Sequence, residues 1–402
     1  MNYFVFAVCG GAEYIEQLNF SLKFLKYFSD FPIIVATDSS RNEIPIEHDN
    51  IIDIETPEEL SNHRAHLFIE TNLPNYLKID ENDVCCYLDS DVIAVSKNIN
   101  EVFSHFQSPV TFARDHCKID VFSSKIMNCG CMDEFNKRRD LFFEIVDMLP
   151  HVKTSSKEVL AEADRLKNLF SDFRNKPIRN LPNILKYLNL RYFSKNEIFN
   201  FCDFKFNRKD HCWYEKHGNI INFDFRFYNN KIYKAHGVKF KQGKWIDKNN
   251  RIIQPELHHC KHLRVYLNKT YKINIPQNFR HWNGGVFLFS KHSKKFMDYW
   301  HKITIEESFK ENIKYYDDQA TLVVSAFKFD ALKNKSLPIK YNFIADYNSK
   351  NTKWSAELGY TYNNFESIFE PAFIHVYHHW GDQEWDIWQS VIQLGKKICV
   401  LK

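Results

Sequence analysis

Val84-Cys85-Cys86-Tyr87-Leu88-Asp89-Ser90-Asp91 is an apolar run of five residues that delivers two carboxylates. An unbroken apolar stretch of this length, rich in Val, Tyr and Leu, fits a strand buried on both faces, as at the centre of a parallel sheet. Asp89 and Asp91 stand two apart, so in extended backbone they project to one side and can share a cation. Oxygen donors of this kind suit Mg²⁺ or Mn²⁺, ions that keep coordination positions open for phosphate oxygens. The bare spacing is weak evidence, since an Asp-x-Asp pair arises by chance about once or twice in a chain this long. A solvated turn, or a cap for a helix beginning near Asn98, would account for it as well. The position at the end of a buried strand is what sets this pair apart.

The surrounding sequence supplies that context. Tyr3 to Val8 is a β-rich run ending at Cys9-Gly10-Gly11, after which Tyr14, Leu18, Leu22 and Leu25 recur at helical spacing. Pro32 to Ala36 ends at Thr37-Asp38, Ile51 to Ile54 reads as a further strand, and a helix is expected from Glu58 to about Glu70. Val110 to Ala113 closes the series. Alternation of this kind implies an α/β fold with βαβ units: a Rossmann-like, mixed but mainly parallel sheet flanked by helices, with a ligand site at the carboxyl ends of the strands.

Between about residues 150 and 275 the pattern changes to a large α+β insertion. Helices are expected at Lys157 to Phe170 and Leu181 to Tyr192, and aromatic-rich strands from Asn222 to Lys244 with a turn at Asn229-Asn230. The strand pattern resumes at Gly285-Val286-Phe287-Leu288-Phe289, with helices from Lys294 and Asp317 and a last strand at Ala372 to Tyr377. The expected divisions are therefore 1–149 for the first half of the α/β domain, 150–275 for the insertion, and 276–402 for the remainder.

Composition narrows the partners. The 402 residues are 44% hydrophobic and 26% charged, the balance of a globular protein. A formal net charge of +4 gives no reason to expect nucleic acid. No signal-peptide pattern precedes Cys9, and no apolar run reaches the ~20 residues that span a bilayer, so a cytoplasmic location with at most peripheral membrane contact is expected. The 10 cysteines are scattered, with Cys85 and Cys86 facing opposite ways in a strand, which is a poor disulfide framework. His258-His259-Cys260 with His262 suggests zinc, but no partner cluster with a recognised ligand spacing is evident, so zinc is not expected there.

The stretch Cys86 to Val95, followed by Ile99-Asn100-Glu101-Val102-Phe103, resembles the metal-binding segment of GT-A-fold glycosyltransferases, and is most similar to family eight, a retaining, UDP-sugar-using, Mn²⁺-dependent group. Three further segments follow in family order. His281-Trp282-Asn283-Gly284-Gly285-Val286 resembles its Asn-x-Gly strand, Asp317-Asp318-Gln319 its Asp-Gln motif, and Val376-Tyr377-His378-His379-Trp380-Gly381 its C-terminal histidine segment. The resemblance covers roughly the first 130 and last 125 residues. Gln383-Glu384-Trp385 stands where the family has Lys-Pro before a Trp, so a diphosphate-binding lysine is not carried over.

The resemblance implies a hexosyltransferase-like transfer from a nucleotide-diphosphate sugar to a glycan, lipid-linked glycan or protein acceptor, with 1–149 as the nucleotide-sugar-binding half and acceptor binding as one role for the 150–275 insertion. It makes Asp89, Asp91 and a histidine the metal ligands; His378 has the family-like spacing to Gly381, and His375 lies in the same strand. Imidazole beside carboxylates favours Mn²⁺ over Mg²⁺. It assigns Gln319, Asp318 and Asn283 to the reacting sugar. Ala7, Val8, Cys9, Thr37, Asp38, Arg64, Ser90, Asp115, Gly284, Gly285 and Gly381 fall to the donor. Two other readings compete. A sugar nucleotidyltransferase would carry a basic glycine-rich loop after the first strand, which Cys9-Gly10-Gly11-Ala12-Glu13 lacks; a catalytically silent carbohydrate-binding protein on the same fold would bind donor without transfer.

Overall fold

Strand β1 (Asn2–Ala7) passes into helix α1 (Ala12–Phe28), whose Ile15, Leu18, Leu22 and Leu25 are buried at helical spacing. Strands β2 (Ile33–Thr37) and β3 (Ile51–Asp53), helix α2 (Asn62–Thr71) and strand β4 (Val84–Leu88) complete the first half of the sheet. This computed structural model describes residues 1–152, 156–308, 310, 317–347, 349, 351–363 and 367–401. Helix α2 starts four residues later than the expected Glu58, because Ser61 is its N-cap and accepts from the Arg64 N–H.

β1 lies between β2 and β4 and is parallel to both, and β2 is parallel to β3. Downstream come β5 (Val92–Ala94), β6 (Thr111–Lys118), α3 (Ile119–Ile126), α4 (Cys131–Asp147), α5 (His262–Tyr271) and β7 (Arg280–Ser290). The sheet order is β3-β2-β1-β4-β7-β6, with β7 antiparallel to both neighbours. The fold is thus a mixed α/β architecture with a mainly parallel central sheet flanked by helices. Helices α6 (Lys294–Ser308) and α7 (Asp317–Lys328) follow β7, with Phe296, Trp300 and Leu322 packing on Tyr87, Phe112 and Phe287 of the sheet. A small second sheet joins β8 (Phe343–Ile344), β9 (Phe373–His375) and β5, and α8 (Asp386–Lys397) ends the fold.

Two compact units emerge. The first comprises Met1–Glu134, His259–Thr352 and Phe369–Lys402; the second comprises Phe135–His258 and Lys353–Ile368. The sequence pattern changes at 150 and 275, whereas the contacts change earlier at both ends. Ile145 of α4 packs with Ile232, Val238, Trp245 and Ile253, which draws most of that helix into the second unit.

Within the second unit an antiparallel sheet of Ile198–Phe201, Phe204–Asn207, Cys212–Tyr214 and Ile220–Phe223 packs Phe199, Phe201, Phe206 and Trp213 against the helix Lys157–Asn175. The stretch expected to be strands from Asn222 to Lys244 is largely a helix, Phe225–His236. Asp224 caps its start by accepting from the Phe227 N–H, Gly237 ends it at φ 66°, and Tyr228 and Ile232 bury one face. Asn229-Asn230 is therefore mid-helix, not a turn. Among the described residues no helix is long and apolar enough to cross a membrane.

Candidate active site

β4 ends where Asp89 begins, and the Asp89 N–H donates to the Gly285 carbonyl at 2.9 Å, so the carboxylate pair lies beside β7. Two residues further on, β5 turns away to pair antiparallel with β9. His375 sits opposite Val92, and the Val376 N–H donates to the Asp91 carbonyl at 2.9 Å. This long-range pairing brings the His375 imidazole to the carboxylates: Nε2 is 3.2 Å from Asp91 Oδ1 and 4.0 Å from Asp89 Oδ2. Oxygen and nitrogen donors about 2.1 Å from an octahedral ion stand about 3.0 Å apart along an edge and about 4.2 Å apart when trans, so the 3.2 Å separation matches an edge and the 4.0 Å one falls short of trans, a set that a shared divalent cation could draw together.

The polar environment supports that fit. Asp91 Oδ1 is buried, and among the described residues its compensation is the 3.2 Å ion pair with His375 Nε2 rather than a well-formed hydrogen bond, so an anionic oxygen here needs a cation beside it, the imidazolium or a metal in its place. Burial, with Asp91 beside it, raises the Asp89 carboxyl to about 6. Burial opposes charge on His375, but Asp91 and Asp89 outweigh it and push the imidazole up to about 9. A bound cation would take over the neutralising role of the imidazolium proton.

One directional chain of hydrogen bonds orients the imidazole. Asn283 Nδ2 points at Asp115 Oδ2 (3.4 Å), Asn342 Nδ2 donates to Asn283 Oδ1 (2.8 Å), and His375 Nδ1 meets Asn342 Oδ1 at 3.0 Å. With Asn342 presenting its oxygen, His375 must carry its proton on Nδ1, which leaves Nε2 for a metal. Asp115 anchors the chain as an anion. Burial opposes its charge, yet His116 at 3.1 Å and the Cys117 N–H at 2.9 Å hold its carboxyl below the ordinary range. Replacing Asn342 by the similarly shaped Leu is expected to weaken metal affinity about 10–100-fold while leaving the ligands in place; metal titration by calorimetry measures it.

β7 supplies the floor. Its pairing with β6 breaks register between Asn283, which sits opposite Ala113, and Phe287, opposite Phe112, a bulge that takes Gly284 and Gly285 out of the β6 ladder. The Gly285 N–H donates to Asn283 Oδ1 at 3.0 Å. A methyl group on Gly285 would stand 2.4 Å from His375 Cε1 and 2.6 Å from Asp89 Oδ2; on Gly284 it would stand 3.2 Å from Asp318 Oδ2 and 3.9 Å from Gln319 Cγ. The two glycines therefore abut both the candidate metal-ligand set and the start of α7. Asp318 is fixed through its backbone, whose carbonyl accepts from Trp300 Nε1 and Thr321 Oγ1. Gln319 Oε1 is buried with no hydrogen-bond partner among the described residues, an open acceptor beside the glycine floor.

Asp89, Asp91, Asp115, Asn283, Gly284, Gly285, Asp318, Gln319 and His375 thus share one locus, whereas Ser90, between the two carboxylates, turns its carbonyl to α1 and accepts from Ser21 Oγ at 2.7 Å. Other expected residues stand differently. His378 is exposed against Tyr377, so His375 is the histidine that meets the carboxylates. Gly381 lies in the following loop at φ 83° with open space around it. Ala7 and Cys9 pack into the sheet's apolar core, and Val8 is buried with its N–H on the Ala36 carbonyl. Thr37 is held by Asn42, and the Asp38 carboxylate is engaged by Ser40, Thr56 and Arg41, which makes it a brace for the loop after β2. Arg64 lies in the first turn of α2.

Sequence reasoning passed over Glu70 and Asn342. Glu70 on α2 is buried; burial, then Asp318 and Asp89, raise its carboxyl well above the ordinary value. Its signal was an acidic residue on a helix face shared with His66, 3.6 Å away one turn earlier. Asn342 had no local signal, since only β8 and β9 pairing brings it to His375.

No family model and no curated protein matches the chain. Similar solved structures include the apo-form glycosyltransferase GlyE of Streptococcus pneumoniae TIGR4, at 20% identity over 29% of this chain and 30% of that one, with a TM-score of 0.21. Mouse xyloside xylosyltransferase 1 in its apo form is 8% identical over 93% and 97% of the two chains, with a TM-score of 0.37. The galactosyltransferase LgtC in complex with donor and acceptor sugar analogs is 10% identical over 100% and 96%, also at 0.37. All three scores lie below 0.5, so the functional reading rests on the residues of the site itself.

Proposed function

We propose that the chain is a metal-dependent glycosyltransferase of GT-A type that moves a sugar from a nucleoside-diphosphate donor, UDP-linked by the family resemblance, to a glycan or glycolipid acceptor with retention. The observation that carries this reading is the convergence of Asp89, Asp91 and His375 on a glycine floor that also abuts Asp318 and Gln319. Asp89, Asp91 and His375 Nε2 would hold a divalent ion, and the imidazole favours Mn²⁺ over Mg²⁺. When bound, such an ion stabilises negative charge on a departing diphosphate as a Lewis acid.

The chain's own residues do the rest. Gly284 and Gly285 present no Cβ, so a sugar ring can approach the backbone of β7 closely. Asp115, kept anionic, and Asp318 accept hydrogen bonds from sugar hydroxyls, and Gln319 offers its unpaired carbonyl near the reacting carbon. Arg64 and the backbone at Ala7 to Cys9 and Thr37-Asp38 serve the nucleotide end.

Incubating the protein with UDP- and GDP-sugars in Mn²⁺, Mg²⁺ or chelator, and following nucleoside diphosphate release, tests this. Release from a UDP-sugar in Mn²⁺ but not in chelator is expected. His375→Ala is expected to reduce Mn²⁺ affinity by more than the about 10–100-fold of an outer-shell change, and His378→Ala to leave it unaltered. If no sugar nucleotide is turned over with either ion, the reading fails.

A further inference from the structure

Away from this site, three cysteines and a histidine meet in the first unit. Cys129 Sγ is 3.7 Å from Cys260 Sγ, Cys131 Sγ is 3.6 Å from His262 Nδ1, and Cys260 Sγ is 3.3 Å from the same nitrogen. All four ligand atoms lie within 4.8 Å of one another. A disulfide needs sulfurs about 2.05 Å apart, so none is formed here. A zinc tetrahedron with Zn–S of about 2.3 Å and Zn–N of about 2.0 Å has S···S edges of about 3.8 Å and S···N edges of about 3.5 Å, close to these separations. We propose that Cys129, Cys131, Cys260 and His262 form a closed structural zinc site.

The surroundings are those of a built site. In the turn between Cys129 and Cys131, Gly130 takes φ 72°, a conformation glycine adopts freely. Cys131 opens α4 and His262 opens α5, so the positive ends of two helix dipoles abut a centre that three thiolates and Zn²⁺ leave with one net negative charge. Ser123 Oγ lies 3.1 Å from Cys260 Sγ and accepts from the Leu263 N–H at 3.0 Å, which positions that sulfur from outside the ligand set. Asp120 grips the same loop, accepting from the Cys260 N–H and from Arg264 Nε at 2.6 Å.

The placement says what the site is for. The chain leaves the first unit after Glu134 and re-enters it at His259. One ligand pair lies just before the exit and the other just after the return, so zinc would clamp the two passes of chain at the base of a long excursion. The clamp adjoins α3, which follows directly on the β6 strand that carries Asp115. The Cys260-x-His262 half was visible in the sequence; its partner, Cys129-x-Cys131, is too distant for local spacing to reveal.

Protein purified under reducing conditions is expected to carry one zinc per chain by elemental analysis. The Asp91→Asn variant should keep it, and the Cys129→Ser/Cys260→Ser variant should lose it. Because that double variant could misfold, two measurements use the unaltered chain. Cobalt substitution should give the thiolate charge-transfer and tetrahedral ligand-field bands of a sulfur-rich site. Cys129, Cys131 and Cys260 should resist alkylation until a strong chelator removes the metal, with a fall in Tm. Folded protein without zinc, a Cys129–Cys260 disulfide in the reduced preparation, or cobalt bands lacking thiolate character would each overturn the proposal.

Discussion

Asp91→Asn is expected to lower Mn²⁺-stimulated turnover by about 10³-fold or more, the several kcal/mol that a lost metal centre removes from transition-state stabilisation. The substitution keeps size and shape, so its effect falls on ligation rather than packing. Among the described residues the neighbour that pairs with Asp91 Oδ1 is the His375 imidazole, at 3.2 Å, so that ion pair is what the change removes. Asp89→Asn should act in the same direction, with an added strain on the Tyr87 hydroxyl that donates to Asp89 Oδ1 at 2.8 Å. The diagnostic is thermal. Mn²⁺ at about 100 times its Kd stabilises a one-site protein by about 2.7 kcal/mol, so wild-type Tm should rise with the ion while both variants show no rise. Undiminished Mn²⁺-stimulated turnover in both variants would remove the metal from the mechanism.

Such a test concerns the part of the site that was legible in the sequence. The strand Val84–Leu88 announced itself by apolar continuity, and the carboxylates by their place at its end. The Asn283-Gly284-Gly285 segment was readable for a similar reason, since glycines before an apolar run mark close approach or a bulge, and here they do both. Legibility stopped where pairing between distant segments decides. The spacing to Gly381 pointed to His378, but the β5–β9 register, with His375 across from Val92, selects the residue that faces Asp91. Asn342 and Glu70 are invisible for the same reason. The helix Phe225–His236 was misread on another ground: Phe225, Phe227, Tyr228 and Tyr233 carry β propensity, yet the Asp224 and Gly237 caps and the burial of Tyr228 with Ile232 override it. Propensity is a weak prior when caps and tertiary burial agree against it.

The glycine floor yields the second large effect. Gly285→Ala should abolish both metal binding and turnover, although it adds one methyl group. Neither Gly284 nor Gly285 has positive φ, so alanine is conformationally permitted at both and any effect is steric. At Gly285 the new carbon would lie 2.4 Å from His375 Cε1 and 2.6 Å from Asp89 Oδ2, inside contact distance for two ligand side chains at once. Neither can swing away freely: His375 is buried and bonded to Asn342, and Asp89 is tied to the Tyr87 hydroxyl. β7 cannot recede either, because the Gly285 carbonyl accepts from the Asp89 N–H in the middle of the sheet. The strain, about 1–3 kcal/mol for overpacking of this kind, is relieved most readily by opening the ligand set. Gly284→Ala is the internal control. Its methyl would press on Asp318 Oδ2 at 3.2 Å and merely touch Glu70 Oε1 at 3.6 Å and Gln319 Cγ at 3.9 Å, none of them in the Asp89-Asp91-His375 set, so metal binding should survive while turnover falls through the side proposed to face the sugar. Calorimetric Mn²⁺ titration of the two variants, with circular dichroism to confirm the fold, separates the faces. Equal Mn²⁺ affinity in Gly285→Ala and wild type would show that the ligands do not sit against β7 as described.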